Sequence, residues 1–165
     1  MSRSIILTDQ EIQHKIRRIA FQIYENNSKN KELIIAGISK NGYLLAEQLK
    51  KVLDEVSELN TQLCEVRIDK QNPLNEISTS LEVKAYKNKS LVLVDDVLNS
   101  GTTLMYAIKH FLEVPLKQFK TAVLVNRNHK KYPVKADYKG ISLSTSLQEH
   151  VTVEISKKEA IAYLT

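Results

Sequence analysis

Two stretches of the chain carry no polar residue at all: Leu33-Ile34-Ile35-Ala36-Gly37-Ile38 and Leu91-Val92-Leu93-Val94. A strand that is apolar at every position, instead of every second one, has both faces covered, as in a parallel sheet with helices on either side. Thr121-Ala122-Val123-Leu124-Val125 is a third run of the same kind. Segments of helical spacing separate them. Thr8-Asp9-Gln10-Glu11 is a capping box that opens a helix over 9–26 through Ile12, Ile16, Ile19, Ala20 and Ile23. Leu45, Leu49, Val52, Leu53 and Val56 define a second helix, and Thr102 or Thr103 opens another through Ala107, Ile108, Phe111 and Leu112. The alternation specifies an open, mainly parallel α/β sheet flanked by helices.

Gln62 to Ile68 alternates as a further strand, and Val151 to Ile155 reads as a last, edge-type strand. Residues 69–80 are polar, contain Pro73 and have no period, so they form a mobile surface loop. No linker divides the 165 residues, and 42% apolar content suffices for one core, so the expectation is a single domain over 1–165. The lone Cys64 lies in an apolar-alternating run and reads as a buried structural thiol. The N-terminal residues lack the apolar core of a signal peptide, and no run approaches the roughly 20 residues that span a bilayer. The expected location is the cytoplasm, with no membrane partner. Lys and Arg exceed Asp and Glu by 24 to 19, a formal +5, which favours anionic partners without separating metabolites from nucleic acid.

In an open parallel sheet, ligands bind beyond the carboxyl ends of the strands. Three polar segments fall there: Ser39-Lys40-Asn41-Gly42, Asp95 to Thr103, and Asn126 to Lys131. The middle one is the most specific. Asp95 and Asp96 supply acceptors for sugar hydroxyls, and Asn99-Ser100-Gly101-Thr102-Thr103 is a small-residue turn into a helix N-terminus, which suits a phosphate. Ribose and phosphate together would use both halves. The bland alternative is a plain strand-to-helix connection with an aspartate as cap.

The run Leu91 to Thr103 resembles the phosphoribosyl pyrophosphate signature of type I phosphoribosyltransferases. Within that superfamily the chain is most similar to the pyrimidine-operon attenuation regulators that double as uracil phosphoribosyltransferases. The likeness extends from Ile6-Leu7 through Gly37-Ile38 and Leu45-Ala46 to Asn126-Arg127-Asn128-His129 and Asp137-Tyr138-Lys139-Gly140. It implies that fold, with a small hood region, and transfer of ribose 5-phosphate from phosphoribosyl pyrophosphate to a nucleobase, uracil first. It further implies that Asp95 and Asp96 hold the ribose hydroxyls as catalytic groups, with Lys70 as a charged closing residue. Asn99, Ser100, Gly101, Thr102 and Thr103 would surround the 5-phosphate. Ser39, Lys40, Asn41 and Gly42 would form the pyrophosphate loop, where the family often has a non-proline cis peptide. Asn126, Arg127, Tyr138 and Lys139 would meet the base, Tyr138 stacking on its face. Magnesium would enter with the pyrophosphate near Asp95 and Asp96, not on a protein cage, and the protein would be a homodimer or higher homo-oligomer.

Two further readings stay open. Ser39 and Asn41 stand where the family's loop commonly carries Lys and Arg, and the 69–80 loop looks short, which suits a nucleotide-sensing regulator with little turnover that binds leader RNA. Arg17 and Arg18 on the first helix match the basic surface that the regulators use, although a solvated basic face is the commoner explanation of such a run. The third is a hypoxanthine-guanine phosphoribosyltransferase, which Val134 to Gly140 also resembles.

Overall fold

The computed structural model describes residues 2–165. Its elements are β1 (Ser4–Leu7), α1 (Asp9–Asn27), β2 (Glu32–Ile38), α2 (Asn41–Val56), β3 (Asn60–Arg67), β4 (Ser78–Thr79), α3 (Val83–Tyr86), β5 (Ser90–Leu98), α4 (Thr102–Phe111), β6 (Gln118–Arg127), β7 (Tyr138–Leu143), β8 (Val151–Ile155) and β9 (Ala160–Leu164). The three unbroken apolar runs become β2, β5 and β6, adjacent in a six-stranded sheet ordered β4-β3-β2-β5-β6-β7. All its pairings are parallel except that of the two-residue β4 with β3. Because the three strands are parallel, their carboxyl ends lie along one edge, and everything that follows them in sequence is delivered there.

Each face of the sheet has its own core. On one side Ile35, Val92, Val94, Ala122 and Leu124 pack with Ile12, Ile16 and Ile19 of α1 and Leu45, Leu49 and Leu53 of α2. On the other, Ile34, Ala36, Leu91, Leu93 and Val123 meet Tyr86 of α3 and Leu104, Ala107 and Phe111 of α4. Odd and even positions of one strand feed opposite cores, which is why the runs show no alternation. The capping box starts α1: Glu11 N donates to Thr8 Oγ1 at 3.3 Å while the Glu11 carboxylate accepts from Thr8. Cys64 is buried in the second core, and among the described residues no helix is long and apolar enough to cross a membrane.

Val151–Ile155 does not join the main sheet. It pairs antiparallel with β9, which also pairs with β1, in a separate three-stranded sheet. Leu7, Val153, Ala160 and Ala162 of this small sheet enter the α1–α2 core, so it sits as a hood over that side. The 69–80 segment is more built than its polarity suggests. Asp69 Oδ1 accepts from Gln71 N at 2.9 Å and Asn72 N at 3.2 Å, and Asn75 Nδ2 donates to Asp69 Oδ2 at 3.1 Å. Thr79 and Ser78 then pair with Val66 and Arg67.

The approach of α2 to β5 sets the floor of the sheet's carboxyl edge. A Cβ on Gly42 would fall 2.6 Å from Val94 O and 3.0 Å from Asp95 Cα, both backbone atoms that cannot swing aside. Gly42→Ala is therefore expected to destabilise the protein by about 1–3 kcal/mol, the usual cost of overpacking a rigid contact. Urea denaturation followed by circular dichroism checks this, and an unchanged midpoint would show that the helix can slide without cost.

Candidate active site

β5 continues past the apolar run, so Asp95 and Asp96 are still strand residues, and both line one cleft. Asp95 is 3% exposed, its carboxylate wedged beside Gly42 of α2. Its Oδ1 accepts from Asp96 N at 2.9 Å, and its ion-pair partner, Lys70 Nζ, stands 3.6 Å away. Burial first, and the charge of Asp96 second, push the Asp95 carboxyl up to about 8, against a downward pull from Lys70. Asp96 is half-buried. Its Oδ1 accepts from Val97 N at 2.8 Å and its Oδ2 from Asn41 Nδ2 at 3.0 Å. The same Asn41 amide donates to Val153 O at 2.7 Å, tying the acid to the hood.

Beyond Leu98 the chain turns into α4. Gly101 is the hinge of that turn, with φ at +86°, where side chains are strained, and a Cβ there would meet Val134 Cγ1 at 2.5 Å. Ser100 Oγ and Thr102 Oγ1 lie 2.9 Å apart, while Ser100 O accepts from Lys131 N at 2.7 Å and Tyr132 N at 3.1 Å. Gly101 offers α4 no capping side chain; Thr102 N donates to Ser100 Oγ at 3.3 Å and Met105 N to Gly101 O at 2.9 Å, which leaves the N–H groups of Thr103 and Leu104, both cleft-lining residues, available to an anion.

Acid pair and turn together wall a cleft of about 280 Å³, lined by residues 95–104 with Lys70, Arg127, His150 and Val151. The structure thus brings together Lys70, Asp95, Asp96 and all five residues from Asn99 to Thr103. The segment Ser39 to Gly42 borders this cleft through Gly42, beside Asp95, and Asn41, bonded to Asp96. The Ser39–Lys40 peptide is cis, Ser39 Oγ donates to Glu65 Oε1 at 2.8 Å, and Lys40 is exposed.

The residues expected at the base separate. Asn126 lies at the carboxyl end of β6, buried, with Nδ2 donating to Ser142 Oγ at 3.3 Å and Oδ1 without a partner. Arg127 turns to the phosphate side, where Nη1 donates to Asn99 Oδ1 at 3.3 Å. Tyr138 and Lys139 are corrected by the register. Tyr138 pairs with Ala122 and Lys139 with Val123, several residues short of the edge where Leu143 meets Arg127. The Tyr138 ring is 5% exposed in the α1-side core and its hydroxyl is hydrogen-bonded to Asn26, so its face is taken by packing and not open to a base. Lys139 is exposed, and its carbonyl, with that of Gly140, accepts from Arg18 Nη2 at 3.2 and 2.7 Å. Sequence reasoning missed His150 and Val151. A histidine at the start of a strand, shortly after the polar run Ser144-Thr145-Ser146, was the signal available.

The phosphoribosyl transferase domain family matches residues 2–156 of this chain. The bifunctional protein PyrR of Clostridium novyi is 31% identical over 166 residues, covering 94% of this chain and 92% of its own. That of Clostridium kluyveri is 30% identical over 162 residues, with the same coverage, 94% and 92%. Among solved structures, the hypoxanthine phosphoribosyltransferase of Trypanosoma cruzi superimposes with a TM-score of 0.76 over 96% of this chain and 95% of its own. A hypoxanthine-guanine phosphoribosyltransferase of Bacillus anthracis gives 0.72 over 86% and 82%. These two are 15% and 17% identical, and their likeness is one of fold. A doubly covered parallel sheet, an acid pair at the end of its central strand and a small-residue turn into an uncapped helix thus agree with the sequence relatives: the chain belongs to the phosphoribosyl transferase domain family.

Proposed function

We propose that the chain transfers ribose 5-phosphate from phosphoribosyl pyrophosphate to a nucleobase, uracil in the first instance, with release of pyrophosphate. One observation carries this: a single cleft is lined by an unbroken stretch from two carboxylates to a capless helix start. The 5-phosphate takes the turn, bound by the first N–H groups of α4 and by the hydroxyls of Ser100, Thr102 and Thr103. Asp95 and Asp96 accept from the ribose hydroxyls. Ribose reaching Asp95 displaces the Lys70 ammonium, which stays near enough to balance charge on the leaving pyrophosphate, with Lys40 exposed at the start of α2 for the same end. The base lies toward His150 and Val151. Rate would come from orientation and from charge stabilisation of a cation-like sugar.

The donor set fits magnesium that arrives with the pyrophosphate. Asp95 and Asp96 both line the cleft, and among the described residues no group of three or more His, Cys, Asp or Glu forms a cage. Bound there, the ion would supply neutralisation of the leaving group. Incubation with phosphoribosyl pyrophosphate, magnesium and a panel of uracil, hypoxanthine and guanine is expected to release pyrophosphate fastest with uracil. Binding of the sugar donor without release for any base would overturn the enzymatic reading.

Leader RNA binding is a second reading, supported by the α1 surface. His14 and Arg17 are exposed, and the Arg17 guanidinium lies 5.3 Å above the ring of Phe21, itself 42% exposed. Arg18 is less available, being tied to the start of β7. A gel shift with pyrimidine-operon leader RNA that weakens with salt and is lost in Arg17→Ala is expected on this reading. No shift at low salt removes it.

The buried Asp95 gives a pH signature. Its carboxyl rises from 3.8 to about 8 on folding, so between these values the native chain holds a proton that the unfolded chain has shed. The stability contributed by this group must then fall as pH rises from one to the other, at a rate on the order of 1.4 kcal/mol for each tenfold drop in proton concentration. Asp95→Asn keeps the uncharged form at every pH. It is expected to be more stable than the native protein at pH near 8 and to lose that advantage toward pH about 4, while losing activity. Denaturant melts across this range check the trend, and a pH-independent difference would refute the assignment.

A further inference from the structure

Among the described residues Arg127 is the only buried basic side chain, at 3% exposed. No carboxylate among them forms an ion pair with it. Glu149 is near enough to feel its field, yet that carboxylate accepts from Ser146 N at 2.7 Å instead. The guanidinium is held by neutral acceptors. Nε and Nη2 both donate to Thr145 Oγ1, at 3.0 and 2.7 Å, and Nη2 also donates to Glu149 O at 2.8 Å. On its other side Nη1 donates to Asn99 Oδ1 in the phosphate turn. His129 closes the set. Its Nε2 lies 2.7 Å from Thr145 O, which can only accept, so Nε2 carries the hydrogen and Nδ1 is left to accept from Arg127 Nη2 at 3.3 Å.

A buried cation without a counter-ion is an unfavourable element of a fold unless something else supplies the charge. Arg127 lines the same cleft as the phosphate turn, so an anion bound there is that counter-charge. The same guanidinium staples residues 145–149, and the chain runs directly from them into His150 and Val151, which complete the lining of the cleft. We propose that Arg127 is a positioning residue that couples the two halves of the cleft: an anion on the phosphate turn fixes Arg127 through Asn99 and charge, and Arg127 in turn fixes segment 145–149 and the wall that meets the base. The inference rests on the phosphoribosyl reading above and extends it, making the base side conditional on the phosphate side.

Arg127→Lys keeps the charge but cannot reach Asn99, Thr145 and the Glu149 carbonyl with one planar fork. Thr145→Val removes the hydroxyl that takes two of its hydrogen bonds and leaves every cleft-lining residue in place. Hydrogen exchange of the full chain, with and without ribose 5-phosphate, and steady-state kinetics for both substrates form the test. In the native protein ribose 5-phosphate is expected to slow exchange over residues 144–151. In both variants calorimetry is expected to show ribose 5-phosphate still binding while that slowing is lost. Their KM for the base should rise about tenfold, as for a misplaced binding wall, while the affinity for ribose 5-phosphate in the absence of base changes less than about threefold, because coupled sites lose affinity for each other's ligand only when both are present. Slowing that persists in the variants, or a KM for the base that stays unchanged, overturns the coupling. Should Arg127→Lys fail to fold, Thr145→Val decides by the same criteria. Ribose 5-phosphate that binds the native chain without affecting 144–151 sinks this inference alone. If it does not bind at all, the phosphate-turn reading falls with it.

Discussion

The side chain at the end of β5 cannot be treated as an ordinary surface acid, because α2 closes over it with nothing larger than a hydrogen atom at Gly42. That contact keeps water from the Asp95 carboxyl and raises its proton affinity, with Lys70 as the cation paired with it. Much of the arrangement around the cleft follows from it. Asp96, half-buried beside Asp95, is oriented by Asn41.

The central architecture was legible because the physics that makes it is local. A strand covered on both faces has to be apolar throughout, and β2, β5 and β6 are so along their central runs. The acid pair and the turn were legible for the same reason, being contiguous in sequence. What was not legible depends on distant pairing. β8 looked like one more edge of the main sheet, but its partner is β9, and β9 in turn pairs with β1 from the other end of the chain. No short-range pattern encodes that choice. The expected role of Tyr138 fails on register alone: in a parallel strand the distance along the strand decides which end of the sheet a residue occupies, and Tyr138 starts β7 where the ligand edge lies at its finish. His150 and Val151 escaped notice because their position is set by the 144–149 segment and the strand it enters, and not by a motif.

Charge in the cleft is distributed without the symmetry of a simple cation site for a polyanion. Asp95 and Asp96 share a small volume with Lys70 and Arg127, one acid is protonated near neutrality, and one base is solvated while the other is buried among carbonyls and hydroxyls. With that acid protonated, one carboxylate faces two cations, so the site is net positive before any ligand arrives. An anionic substrate is drawn to such a site by its charge.

The Asn41 side chain spans two bodies that elsewhere meet largely through apolar packing, donating at once to a carboxylate of the main sheet and to a carbonyl of the hood. Both bonds come from one nitrogen, so any outward tilt of the hood must lengthen one of them first. A change at the acid that the sugar would claim is thereby passed to the small sheet through a single amide.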